Sequence, residues 1–158
     1  MISCTEFILA YNEIFNFLHR RHGREAVREL WVGISDNFLG NLRELVAEEG
    51  ISGMEKYWTR TLTEEGADYR MFVEDDVFII EMHRCPSVGT LRNAPHIKKY
   101  PDYCEHCGVL YSRIVKDYGF SYQIEYLDPD KGRCRITIRR KPESGEPRST
   151  RRSSRDAH

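Results

Sequence analysis

Three of the five cysteines and three of the six histidines fall within Ile79–Tyr111: Cys85, Cys104, Cys107, His83, His96 and His106. Cys104 and Cys107 have the Cys-x-x-Cys spacing of a metal knuckle, and His83 and Cys85 fall two residues apart on a strand-like run. Two residues along a strand bring side chains back to one side. His83, Cys85, Cys104 and Cys107 therefore make a four-ligand set of the kind that tetrahedral zinc takes. A reactive thiol is the rival reading. Cys104 falls at the start of a helical pattern, where the dipole lowers a thiol's pKa. His83 or His106 would take its proton, and Glu81 would orient the base. Cys85, before Pro86, is a second nucleophile for attack on an amidine, thioester or amide carbon. His106 is expected to point away from the stripe holding Cys104 and Cys107. Cys107 and Cys134 also read simply as small buried apolar side chains.

The elements that must position these residues are legible from periodicity. Phe7, Tyr11, Ile14 and Leu18 predict an amphipathic helix over 3–21. A second helical pattern covers 24–49, with a kink or break expected around Gly33, Ser35-Asp36-Asn37 and Gly40. Ser52 and Glu55 have capping-box spacing for a third helix carrying Tyr57, Trp58 and Leu62 and ending near Gly66. The period then drops from 3.6 to 2. Tyr69, Met71 and Val73 alternate, Glu74-Asp75-Asp76 turns, and Val77–Cys85 makes the returning strand. Apolar residues on both of its faces predict an inner strand covered on two sides. Residues 86–100 read as loop or short helix. A helix follows from about Asp102 to Tyr118, with Tyr111 on its cysteine stripe. Phe120–Tyr126 and Cys134–Ile138 form a closing hairpin around Asp128-Pro129-Asp130-Lys131-Gly132.

The predicted fold is α+β: N-terminal helices, then a largely antiparallel sheet of about four strands with a helix between two hairpins. One domain is expected over 1–141, mainly helical over 1–66 and hairpin-helix-hairpin over 67–141. Residues 142–158, rich in Pro, Ser, Gly and Arg, read as a disordered basic tail. Charge is uneven. From Lys131 onward there are ten Lys or Arg against three Asp or Glu, so a chain of net charge −1 is acidic before that point. No aromatics are interleaved for base stacking, so nucleic acid is not the expected partner. No apolar run reaches the roughly 20 residues of a membrane span. Without a basic n-region at the start, the expected location is the cytoplasm, where clustered cysteines point to metal or catalysis rather than disulfides. Self-association is left open.

With these residues in view, the C-terminal two thirds resembles the L-2-amino-thiazoline-4-carboxylic acid hydrolase-like family. That pattern is a strand ending in a cysteine, a cysteine at a helix start, and a final hairpin with a cysteine near its end. Cys85, Cys104 and Cys134 match those places, while His106-Cys107 stands where an acidic residue is expected. The resemblance implies hydrolysis of a small heterocyclic or amide-like molecule; joined to the reading of the residues above, it makes Cys85 or Cys104 the nucleophile or a metal ligand, His83 the base and Glu81 the orienter. Tyr57, Trp58 and Tyr111 would wall the pocket. The segment from Cys104 to Ile138 also resembles vinyl-reductase-like sensor domains. It implies a second ligand set, Cys104, Cys107, Glu125 and Cys134, around a zinc ion beside a small-molecule pocket that does no chemistry.

Overall fold

The computed structural model describes residues 4–142. Four helices come first: α1 (Cys4–His22), α2 (Arg24–Asn37), α3 (Gly40–Glu49) and α4 (Ile51–Glu64). A hairpin of β1 (Asp68–Glu74) and β2 (Val77–Arg84) follows, then α5 (Pro86–Arg92), α6 (Glu105–Asp117) and a hairpin of β3 (Phe120–Asp128) and β4 (Arg133–Arg140). The sheet order is β1-β2-β4-β3, and every pairing is antiparallel. The architecture is the expected α+β arrangement. The expected tail, apart from Pro142, lies outside the described residues.

The first hairpin turns on Asp75 and Asp76, both at positive φ (49° and 59°). Two left-handed residues suit the right-handed twist of the strands they join. β2 is an inner strand, paired on one side with β1 and on the other with β4. Its helix-facing side carries Phe78, Ile80 and Met82, all buried. Trp58 of α4 lies against Phe78, ring centroids 5.8 Å apart. Burial of side chains this size stabilises by about 1.5–3 kcal/mol each. Among the described residues, the other side lacks the second cover that its apolar residues predicted. Ile79 is buried there, beside Phe72 and Thr137 in the ladder, but His83, Arg70, Arg135 and Glu125 are exposed. Neighbouring side chains on a twisted sheet, rather than a second layer, shelter Ile79.

Three local expectations are corrected. The helical pattern over 24–49 is two helices, broken at Phe38-Leu39, and Phe38 is 77% exposed rather than part of an apolar side. In α1, Phe7 and Ile14 are exposed while Phe15 and Asn12 are buried. The helix has turned its buried face toward a polar partner, since the Asn12 side chain bonds Lys98 and Tyr100. The capping box at Ser52 does not form. Gly50 at φ +59° caps α4 without a side-chain bond, and the Ser52 hydroxyl donates to Glu49 instead. α3 and α4 approach closely past this turn: a Cβ on Gly53 would lie 2.0 Å from the Leu45 carbonyl oxygen.

α6 is clamped between α2 and the sheet. The Ser35 hydroxyl donates to the Leu110 carbonyl at 2.8 Å in the buried α2–α6 contact. Arg24 pairs with Asp102 and Glu105 at the start of α6, and Arg113 with Asp36 further along. On the sheet side, a Cβ on Gly108 would sit 3.4 Å from the Tyr126 hydroxyl and 3.6 Å from Ile124. Both are ordinary van der Waals distances, so α6 rests directly on β3.

Candidate functional site

A cavity of about 140 Å³ lies between the helix-facing side of the sheet and α4, α5 and α6. Its walls are largely apolar, with Trp58, Leu62, Ile80, Met82, Tyr111 and Ile136 among them. Four thiols also line it: Cys85, Cys104, Cys107 and Cys134. Each is free and half-buried. His106, Glu65 and Arg133 join them, with the phenols of Tyr103, Tyr111 and Tyr126.

Each thiol arrives by a different route. Cys85 follows the last residue of β2 and caps α5, with Pro86 at the first helical position. A proline there removes an amide that a helix start leaves unpaired anyway. The Cys85 amide donates to the Gly132 carbonyl at 3.0 Å, which fastens this corner to the β3–β4 turn. Cys104 caps α6 and donates its thiol to the Pro129 carbonyl at 3.8 Å, in the same turn. The Tyr126 hydroxyl bonds the Cys104 carbonyl at 3.3 Å. Cys107 lies one turn along α6. Cys134 faces Tyr126 and Met82 across the ladder and continues the face of Ile136.

The loop into α6 is held from below. Asn12 on α1 donates through Nδ2 to the Lys98 carbonyl at 2.9 Å and accepts the Tyr100 amide at 2.8 Å. Asn16 donates to the same Lys98 carbonyl at 2.8 Å. Lys99 reaches Asp130 at 2.8 Å and the Pro129 carbonyl at 3.2 Å. Helix α1 and the distant hairpin turn thus fix the segment that ends in Cys104.

His106 does not point away from the cysteines. Its ring is packed among Tyr11, Phe15, Trp31 and Tyr103. Nδ1 bonds the Tyr103 carbonyl, and Nε2 sits 3.4 Å from the Cys107 sulfur. A carbonyl only accepts, so Nδ1 carries the proton and Nε2 is the acceptor for the Cys107 thiol. The bond to Tyr103 is what draws the ring back over the first turn of α6. Sequence spacing alone suggested the opposite, because neighbouring positions on a helix point about 100° apart.

Burial dominates the ionisation of the site. It pushes the thiols of Cys85 and Cys104 up to about 11, with Cys107 a lesser cause in each case. It pushes Cys107 and Cys134 up to about 12. Burial thus works against the lowering expected for Cys104 at a helix start, because loss of water disfavours the thiolate. Burial also lowers the His106 pKa, so the imidazole is neutral beside a neutral thiol. Burial raises the Glu65 carboxyl.

Several residues expected at the site lie elsewhere. His83 and Glu81 are on the opposite face of the sheet from the cavity. His83 pairs with Asp68 at 3.3 Å, and Glu81 with Arg135 at 3.7 Å. Cys85 parts company with His83 because the strand ends at Arg84 and the chain turns into α5 before alternation can continue. Glu125 is exposed and stands opposite Arg135, while its neighbours Ile124 and Tyr126 face the cavity. Trp58 and Tyr111 line the cavity as expected, but Tyr57 stands behind them, its ring 5.6 Å from Trp58 and 6.5 Å from Tyr111.

Both ligand sets for zinc are thereby split between two faces. What remains in one place is the four thiols, the groups that a soft metal ion would have to use. Among the described residues, no three His, Cys, Asp or Glu side chains are gathered as a ready-made metal site. Nor, among those residues, is any helix long and apolar enough to cross a membrane. Compared with known proteins, the chain matches no family model, no curated protein and no solved structure.

Proposed function

We propose that this protein binds a small, largely apolar molecule in the cavity under the sheet. The observation that carries the reading is the cavity itself, an apolar space of about 140 Å³ onto which four thiols converge. A dry cavity of about 150 Å³ is enough to take benzene or xenon. The ligand that suits this one is therefore one small ring with at most one or two polar atoms.

Binding is favoured over hydrolysis by the placement of the polar groups. Of the two bases expected for ring opening at Cys85 or Cys104, His83 stands with its orienter Glu81 on the far face of the sheet, and His106 lies against Cys107 instead. The zinc form of the sensor reading would have to rest on the four thiols alone. Cyclohexanone tests the binding reading directly. It should raise the unfolding temperature of the wild-type protein progressively, with the logarithm of its concentration once that exceeds the Kd. It should leave unchanged a folded variant in which Ile136→Phe fills the cavity. An equal response in both proteins, or none in either, would overturn the reading.

A further inference from the structure

We propose that Cys107 and His106 form a reactive pair that captures a small, ring-shaped α,β-unsaturated ketone as a covalent thioether. The proposal rests on the binding reading above, since the ketone must first enter the cavity.

Three observations lead to it. The first is contact: Cys107 Sγ lies 3.4 Å from His106 Nε2, within reach of a proton transfer. The second is orientation. The Tyr103 carbonyl holds the Nδ1 proton, which leaves Nε2 free to accept, and the surrounding rings of Tyr11, Phe15 and Tyr103 lock the imidazole in place. That is a nucleophile, a base and an orienting group in sequence. The third is location. Both side chains line the cavity, so a bound ring would lie against the sulfur. Cys85, Cys104 and Cys134 share the cavity, but no imidazole lies within hydrogen-bonding reach of them among the described residues.

The arrangement suits conjugate addition better than acyl transfer. Acyl transfer needs two free donors for a tetrahedral oxyanion. At the start of α6 the Glu105 amide is already bonded to the Asp102 carbonyl, and the His106 amide turns to the Tyr103 carbonyl. Addition to an enone needs a soft nucleophile and one proton that is taken and returned. His106 Nε2 accepts the Cys107 proton as sulfur bonds to the β-carbon. The carbon–carbon π pair moves toward the carbonyl to give the enolate. The same proton then passes from Nε2 to the α-carbon. One S–H bond and one π bond are lost, one C–S and one C–H bond are gained, and no oxidant or other reactant is consumed.

The test uses the full chain, reduced, with 2-cyclohexenone as the electrophile and cyclohexanone as its unreactive analogue. Intact-protein mass should show one added enone, and peptide mapping should place it on Cys107. A positioned base contributes about 10² or more to such a rate. His106→Asn keeps a donor for the Tyr103 carbonyl but removes the acceptor at Nε2. It should lower the rate by a similar factor while cyclohexanone still raises the unfolding temperature. Labelling of Cys85, Cys104 or Cys134 at least as fast as Cys107 in the wild-type protein would overturn the proposal, whether or not the variant folds. So would a rate unaffected by His106→Asn in a folded variant. In either case a retained response to cyclohexanone leaves the binding reading standing, and loss of that response removes both.

Discussion

Cys85 and Gly132 meet across the rim of the cavity. The Cys85 amide donates to the Gly132 carbonyl at 3.0 Å, and a Cβ on Gly132 would stand 2.8 Å from the Cys85 Cβ. Gly132 is also at φ +68°, where side chains are strained. Gly132→Ala should therefore cost about 1–3 kcal/mol, the range for forcing atoms into a packed site. The shift of the urea midpoint measures it. A variant as stable as the wild type would show that the turn and α5 can part freely.

Asn12 should matter more than Asn16, although both bond the Lys98 carbonyl. Asn12→Ala leaves the buried Tyr100 amide without its partner, at a cost of about 1–3 kcal/mol. Asn16→Ala leaves Lys98 still bonded to Asn12, so its effect should stay near about 0.5 kcal/mol. Denaturant midpoints of the two variants make the comparison. Equal losses would mean that Tyr100 is not held by Asn12.

Stability should fall in alkaline solution. An ordinary thiol titrates near 9.0, while burial holds Cys85 and Cys104 at about 11 and Cys107 and Cys134 at about 12. Between those values the folded protein keeps protons that the unfolded chain has lost. The stability is thus complete below pH 9 and declines as pH rises toward 11 and 12. Buried tyrosines such as Tyr111 add the same sign at higher pH, because burial raises them too. Urea midpoints should drop from about pH 8 to about pH 10, and thiolate absorbance should develop later in the folded protein than in the unfolded one. Coincident thiolate titrations would contradict the burial of these sulfurs.

His83→Ala and Glu81→Ala should change neither cavity binding nor stability by more than about 0.5 kcal/mol, as for exposed ion pairs in general. Thermal shifts with cyclohexanone on both variants check this. A lost response in either would place these residues at the site after all.

The amides of Ile79 and Ile80 should exchange slowly. Both belong to an inner strand with a ladder on each side, and both side chains are buried. Exchange as fast as at Val73, on the edge strand, would contradict the strand order.

The sequence by itself carried the element types and most of their bounds. The drop in period at Tyr69, the Asp75-Asp76 turn, Pro86 after Cys85 and Gly119 after α6 are local signals, and local signals survive folding because they act through backbone conformation. The order of strands β1-β2-β4-β3 and the placing of Cys85, Cys104, Cys107 and Cys134 on the walls of one cavity were decided only in three dimensions. His83 and Cys85 look like partners at a spacing of two, but that holds only while the strand continues, and it stops at Arg84. Glu125 alternates away from Cys134 once the register pairs Cys134 with Tyr126. His106 meets Cys107 because a backbone carbonyl and a set of aromatic rings from α1 and α2 hold its imidazole there. None of those contacts is local in sequence except the one to Tyr103. Burial of the thiols, which raises the Cys104 pKa, likewise depends on what covers them rather than on what adjoins them.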